Sequence, residues 1–149
     1  MPQSTRDFTE LYGFQFEELF IGQTAVSSHT VTDADLLLFS GVSGDTNPVH
    51  LDAEFAAASM FKERIAHGML SAAYISAVFG TKLPGPGCIY LSQNLKFKAP
   101  VKIGATVVTR VTVERLNVEK RRAVFLTECR VGETVVLTGE AELLIPKRD

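Results

Sequence analysis

Polar and β-branched residues fill positions 24–31, T-A-V-S-S-H-T-V, the pattern of a strand. Thr32 follows, and Asp35 stands three residues on. That is capping-box spacing, with Asp in place of the preferred Glu or Gln. The apolar run Leu36, Leu37, Leu38, Phe39 predicts a short helix. Glycines at 41 and 44 should stop it near residues 40–44. The stretch 45–50, D-T-N-P-V-H, must leave the helical path, because Pro48 biases Asn47 away from the α region. Asp52 suits an N-cap, so a second short helix is predicted over residues 53–60.

Residues 68–79, G-M-L-S-A-A-Y-I-S-A-V-F, carry no charge. A helix that is apolar all round is a buried helix, and its alanines and serines let a sheet approach closely. Pro84-Gly85-Pro86-Gly87 reads as a turn. Strand-like segments follow at 88–97, 105–116, 123–131 and 134–145, divided by short turn signals. Neighbours so connected should pair antiparallel. The order predicts an α+β domain, with helices gathered on one face of an antiparallel sheet. One wholly apolar helix within a curled sheet resembles the hot-dog fold. Hot-dog domains generally pair into dimers by joining sheets edge to edge, which also removes an exposed edge.

The 149 residues, 46% hydrophobic and 21% charged, fit one globular domain over 1–149. They exclude a disordered chain, a collagen-like repeat and a disulfide scaffold. Cys88 and Cys129 are outside any C-x-x-C motif and fall in predicted strands, where they are expected as buried small hydrophobes. A net charge of -2 argues against a nucleic-acid partner. Residues 1–14 show no secretory signal. The longest uncharged stretch, residues 68–81, falls short of the ~20 needed to span a bilayer. A cytoplasmic protein with no membrane partner is the expectation. Charge is uneven: residues 1–60 sum to -8 and residues 61–149 to +6. The two parts should neutralise each other in the fold, or the basic part could form a rim for a small anionic ligand.

Asp45, Asn47 and His50 are the most informative residues. A carboxylate and an imidazole in one proline-bent segment suit proton transfer near neutral pH, since histidine's ordinary pKa of about 6.5 lets it serve as acid or base. The same composition also suits an ordinary turn. Residues 39–56, F-S-G-V-S-G-D-T-N-P-V-H-L-D-A-E-F-A, resemble the signature of the MaoC-like (R)-specific enoyl-CoA hydratases, with the core G-D-x-N-P-x-H intact. Ala66-His67-Gly68-Met69, the segment 83–91 and the segment 97–101 resemble the family too. The likeness spans about residues 26–146 and is strongest to the short hydratases that supply monomer for polyhydroxyalkanoate synthesis.

The resemblance implies a catalytic pair of Asp45 and His50, with the backbone N–H of Gly68 as oxyanion donor at the start of the buried helix. Asn47 would support the loop or the water. Ser76 and Phe79 would line the acyl pocket and help set its depth. The implied reaction is syn addition of water to a trans-2-enoyl-CoA, giving the (R)-3-hydroxyacyl-CoA. It needs no metal and no cofactor, because coenzyme A is part of the substrate. His67 is read as structural and His29 as solvated. Lys62, Arg64, Lys96, Lys98 and Lys102 are candidates for the coenzyme A phosphates. The alternatives are a 3-hydroxyacyl-ACP dehydratase, an acyl-CoA thioesterase and a non-catalytic acyl-CoA-binding module.

Overall fold

A computed structural model describes residues 5–148, so the first four residues of the amino-terminal stretch lie outside it. Two 3-10 turns, Thr9–Leu11 and Phe16–Glu18, precede strand β1, Thr24–Thr30. Helix α1, Asp33–Ser43, opens on the capping box: Asp35 N–H donates to Thr32 Oγ1 at 3.2 Å, and Thr32 N–H donates to Asp35 Oδ2 at 2.8 Å. The helix runs through Gly41 and stops within the expected 40–44 window. It ends at Gly44, whose φ of 78° is the left-handed cap that glycine supplies.

The stretch after it is not a plain loop. Asn47 caps a one-turn helix α2, Pro48–Leu51, with Pro48 in the first position. Proline suits that place because its missing N–H would have no helical partner there. Asp52 caps α3, Ala53–Ala58, as its Oδ1 accepts from Phe55 N–H at 3.0 Å. Helix α4, Gly68–Thr81, follows.

The predicted strand 88–97 is two pieces, β2 (Ile89–Gln93) and β3 (Lys96–Phe97). Three long strands complete the sheet: β4 (Thr106–Asn117), β5 (Arg122–Val131) and β6 (Thr134–Leu144). All pairs are antiparallel, in the order β1-β4-β5-β6-β2, with β3 also on β6. Alternation sends Val107, Thr109, Val111 and Val113 of β4 inward, against Ala123, Phe125, Thr127 and Cys129 of β5. Cys129 is thus buried, as expected, while Cys88 is half-buried.

The sheet curls around α4, the hot-dog arrangement. The helix is not buried all round, however. Leu70, Ile75, Val78 and Phe79 face the sheet, while Met69, Ala73, Ser76 and Ala77 are exposed. Ion pairs Arg64–Asp33 and Arg121–Glu17 join the basic part of the chain to the acidic part. Among the described residues, no helix is long and apolar enough to cross a membrane.

Candidate active site

Three short segments converge at the amino-terminal end of α4. The first carries Asp45, one residue past the α1 cap. Asp45 N–H donates to Ser43 Oγ at 3.1 Å, and its Oδ1 accepts from Asn47 N–H at 3.2 Å. Asn47 Oδ1 in turn accepts from Val49 N–H at 3.2 Å. Asn47 therefore supports the loop, and its side chain is spent on capping α2. The chain from Ser43 to Val49 is fixed by these local bonds, each typical of Asp, Asn and Ser in turns.

The second segment, α2, presents His50. Its imidazole is buried, and Nδ1 lies 2.8 Å from the carbonyl oxygen of Ile65. A carbonyl can only accept, so Nδ1 carries the proton and Nε2 keeps the lone pair of a neutral imidazole. Burial pulls the His50 pKa below its ordinary value of 6.5, against the Ile65 carbonyl, which favours the charged form. Proximity to His67 lowers it further, while Asp45 acts the other way.

The third segment, residues 64–68, is the frame. Arg64 Nε donates to the His50 carbonyl at 2.7 Å, and the guanidinium pairs with Asp33 at 2.7 Å. Arg64 is thereby committed to holding α2 against α1, so it is corrected from phosphate ligand to scaffold. His67 is buried and its ring stacks on that of His50 with centroids 3.8 Å apart. Gly68 opens α4, where the first N–H groups have no helical partner.

Asp45, His50, His67 and Gly68 together border a cavity of about 470 Å³. Phe97, Val101 and Leu137 are among its apolar walls, and Lys98 is its one lysine. A mostly apolar hollow with few convergent polar groups is what an acyl ligand needs. Of the basic candidates, Lys98 is therefore the one placed at the cavity. Lys62 and Lys96 are exposed outside its walls, and Lys102 pairs with Glu63 at 3.6 Å.

Asp45, His50 and His67 offer potential metal-ligand atoms within 4.8 Å of one another. Stacking sets the two rings face to face, with their planes 28° apart. His50 Nδ1 and His67 Nε2 also already face carbonyl oxygens.

Phe79 is not at this cavity. It is 1% exposed and packs edge-on to Phe125 and Tyr90, at 4.9 and 5.2 Å between centroids. In this structure Phe79 packs in the core, in contact through Tyr90 with the groove that Ser76 lines. Ser76 lies on the exposed face of α4, lining a separate groove with Phe39, Tyr90 and Leu95. Met69 borders both that groove and the cavity beside Asp45 and His50. The two residues differ because Phe79 turns toward β5 and Ser76 away from it. His29 is exposed, as expected, although its Nε2 lies 2.9 Å from Asp35 Oδ2 and its ring stacks on Tyr74. The partners of Arg64 and His67 escaped the sequence, since they lie 14 and 22 residues away, although His67 is structural, as expected.

Comparison with known proteins places this geometry. Residues 20–136 match the MaoC like domain. The chain is 53% identical to an (R)-specific enoyl-CoA hydratase of Rhodospirillum rubrum, covering 89% of this chain and 92% of that one. It is 46% identical to a 3-hydroxybutyryl-CoA dehydratase of Methylorubrum extorquens, over 94% of this chain and 89% of the other. The solved structure of R-hydratase PhaJ1 from Pseudomonas aeruginosa superposes with a TM-score of 0.87 at 45% identity, covering 93% and 89% of the two chains. With the signature loop, the cavity and the curled sheet all in agreement, the chain belongs to the MaoC-like domain family.

Proposed function

We infer that the chain is an (R)-specific enoyl-CoA hydratase, a hydro-lyase that adds water syn to a trans-2-enoyl-CoA and can run in reverse. The observation that carries this reading is the meeting of Asp45, a neutral His50 and the start of α4 on one apolar cavity.

The enoyl double bond is conjugated with the thioester carbonyl, so C3 is electrophilic. His50 Nε2 is the acceptor for a proton of water, because Nδ1–H is held by Ile65. Asp45 orients the same water. As its oxygen bonds to C3, negative charge moves to the thioester oxygen. The Gly68 N–H and the positive end of α4 stabilise that charge, and one such donor is worth about 3–4 kcal/mol. The proton for C2 is delivered from the dyad, on the face the water occupies. Hydroxyl and hydrogen therefore add to one face. No metal and no further cofactor enters this sequence, and Lys98, on the cavity's lining, is the group that would meet the charged end of the substrate.

The active form in this proposal is a cytoplasmic homodimer. Of the two sheet edges, β2 carries exposed Ile89, Tyr90 and Leu91 beside the exposed face of α4, a surface that a second copy would cover.

The test is an assay on crotonyl-CoA. Hydration removes the conjugated chromophore, whereas thioester cleavage releases free thiol. Chromophore loss without thiol is expected. Thiol release without hydration would assign a thioesterase, and turnover confined to an acyl-carrier-protein substrate would replace the CoA thioester.

A further inference from the structure

We propose that His67 is a positioning residue, which locks the Asp45/His50 pair to the helix that carries the oxyanion donor. The proposal rests on the catalytic reading above. His67 is the residue immediately before Gly68 and is the N-cap of α4. Its Nε2 lies 3.0 Å from the carbonyl oxygen of Asp45 and 3.1 Å from Ser40 Oγ. Since a carbonyl only accepts, Nε2 carries the proton and donates. The face of the same ring lies against His50, and Phe39 packs against it at 4.9 Å. One side chain thus touches α1, the Asp45 turn and His50, while its backbone leads into α4.

The other ring nitrogen supports a role beyond filling space. His67 is 2% exposed, and Nδ1 is buried without a hydrogen-bond partner among the described residues. A buried polar atom left unpaired is destabilising. A residue kept for packing alone would carry no such atom. The donor at Nε2 is what the imidazole supplies and an apolar ring does not.

The experiment measures kcat and KM on crotonyl-CoA for four variants beside Asp45→Asn and His50→Ala. His67→Phe keeps an aromatic ring and removes the donor. His67→Gln places an amide N–H near the position of Nε2, and His67→Asn is too short to do so. Ser40→Ala leaves the bond to Asp45 intact. A misplaced dyad should lower kcat by roughly 10²-fold in the Phe and Asn variants. KM should stay nearly unchanged, Gln should recover most of the loss, and Ser40→Ala should remain close to wild type. Equal activity of the Gln and Asn variants would overturn the proposal, as would a loss confined to KM. If the Phe variant does not fold, the Gln and Asn pair decides. Wild-type turnover in Asp45→Asn and His50→Ala would instead remove the catalytic reading on which the proposal stands.

Discussion

Arg64 holds His50 by its backbone: the guanidinium Nε–H donates to the His50 carbonyl oxygen at 2.7 Å, while its other end pairs with Asp33 in the first turn of α1. The two bonds differ in worth. The one to His50 is part-buried, whereas Asp33 is 57% exposed, so its ion pair is screened by water. Arg64→Met should lower stability by about 1.5–3 kcal/mol, the range for a charge-assisted hydrogen bond. Asp33→Asn should lower it by less than about 1 kcal/mol. Urea unfolding of both variants checks the order, and equal losses would show that the ion pair is the stronger bond.

Gly68 is constrained by a neighbour. A Cβ there would stand 2.6 Å from Cε1 of Phe97, an exposed ring on the cavity wall. The flexible ring can swing away, so Gly68→Ala should fold. The displaced wall and the added methyl should cost at least tenfold in kcat, part of the roughly 10²–10³-fold an oxyanion donor supplies. Adding Phe97→Ala should restore part of the loss. A double variant no better than Gly68→Ala would show that the ring is not the obstacle.

Phe79 separates core from pocket. Phe79→Ala should destabilise the fold by about 3–5 kcal/mol, the range for emptying a buried aromatic site. Its relative turnover on four-, six- and eight-carbon enoyl-CoAs should match wild type. A shifted chain-length profile would return Phe79 to the acyl pocket.

The local chemistry was legible in the chain, while the long-range pairings were not. Thr32 with Asp35, and Asp52 before α3, are caps whose partners lie three residues away. The Asp45–His50 motif was visible for the same reason. The one-turn helix α2 was hidden because Pro48 reads as a breaker until Asn47 is seen to cap it. α4 offered no charged face, so nothing in its sequence told Phe79 from Ser76. The place of β2 beside β6 depends on a pairing 55 residues apart, Ile89 with Leu144. Arg64 and His67 reach back to carbonyl groups, which every residue carries and no motif displays.

The buried His50 gives a pH dependence with a definite sign. Its pKa is lowered from 6.5 in the folded protein, chiefly by burial. As pH falls below 6.5, the unfolded chain takes up this proton before the folded one does. Stability therefore declines through that window and levels off below the folded pKa. Activity should hold a plateau above pH 6.5 and fall once Nε2 is protonated. A kcat profile on the short enoyl-CoA checks this, and an acid limb centred above pH 6.5 would contradict a desolvated, neutral base.

The central claim is that Asp45 and His50 deliver both parts of one water molecule to one face of the double bond. Hydration of crotonyl-CoA in deuterium oxide tests it most directly. Proton NMR of the product reports the configuration at C2 relative to C3, and chiral analysis gives C3 itself. The account predicts a single diastereomer, deuterium and hydroxyl on the same face, with the (R) configuration at C3. Anti addition, or an (S) product, would contradict it.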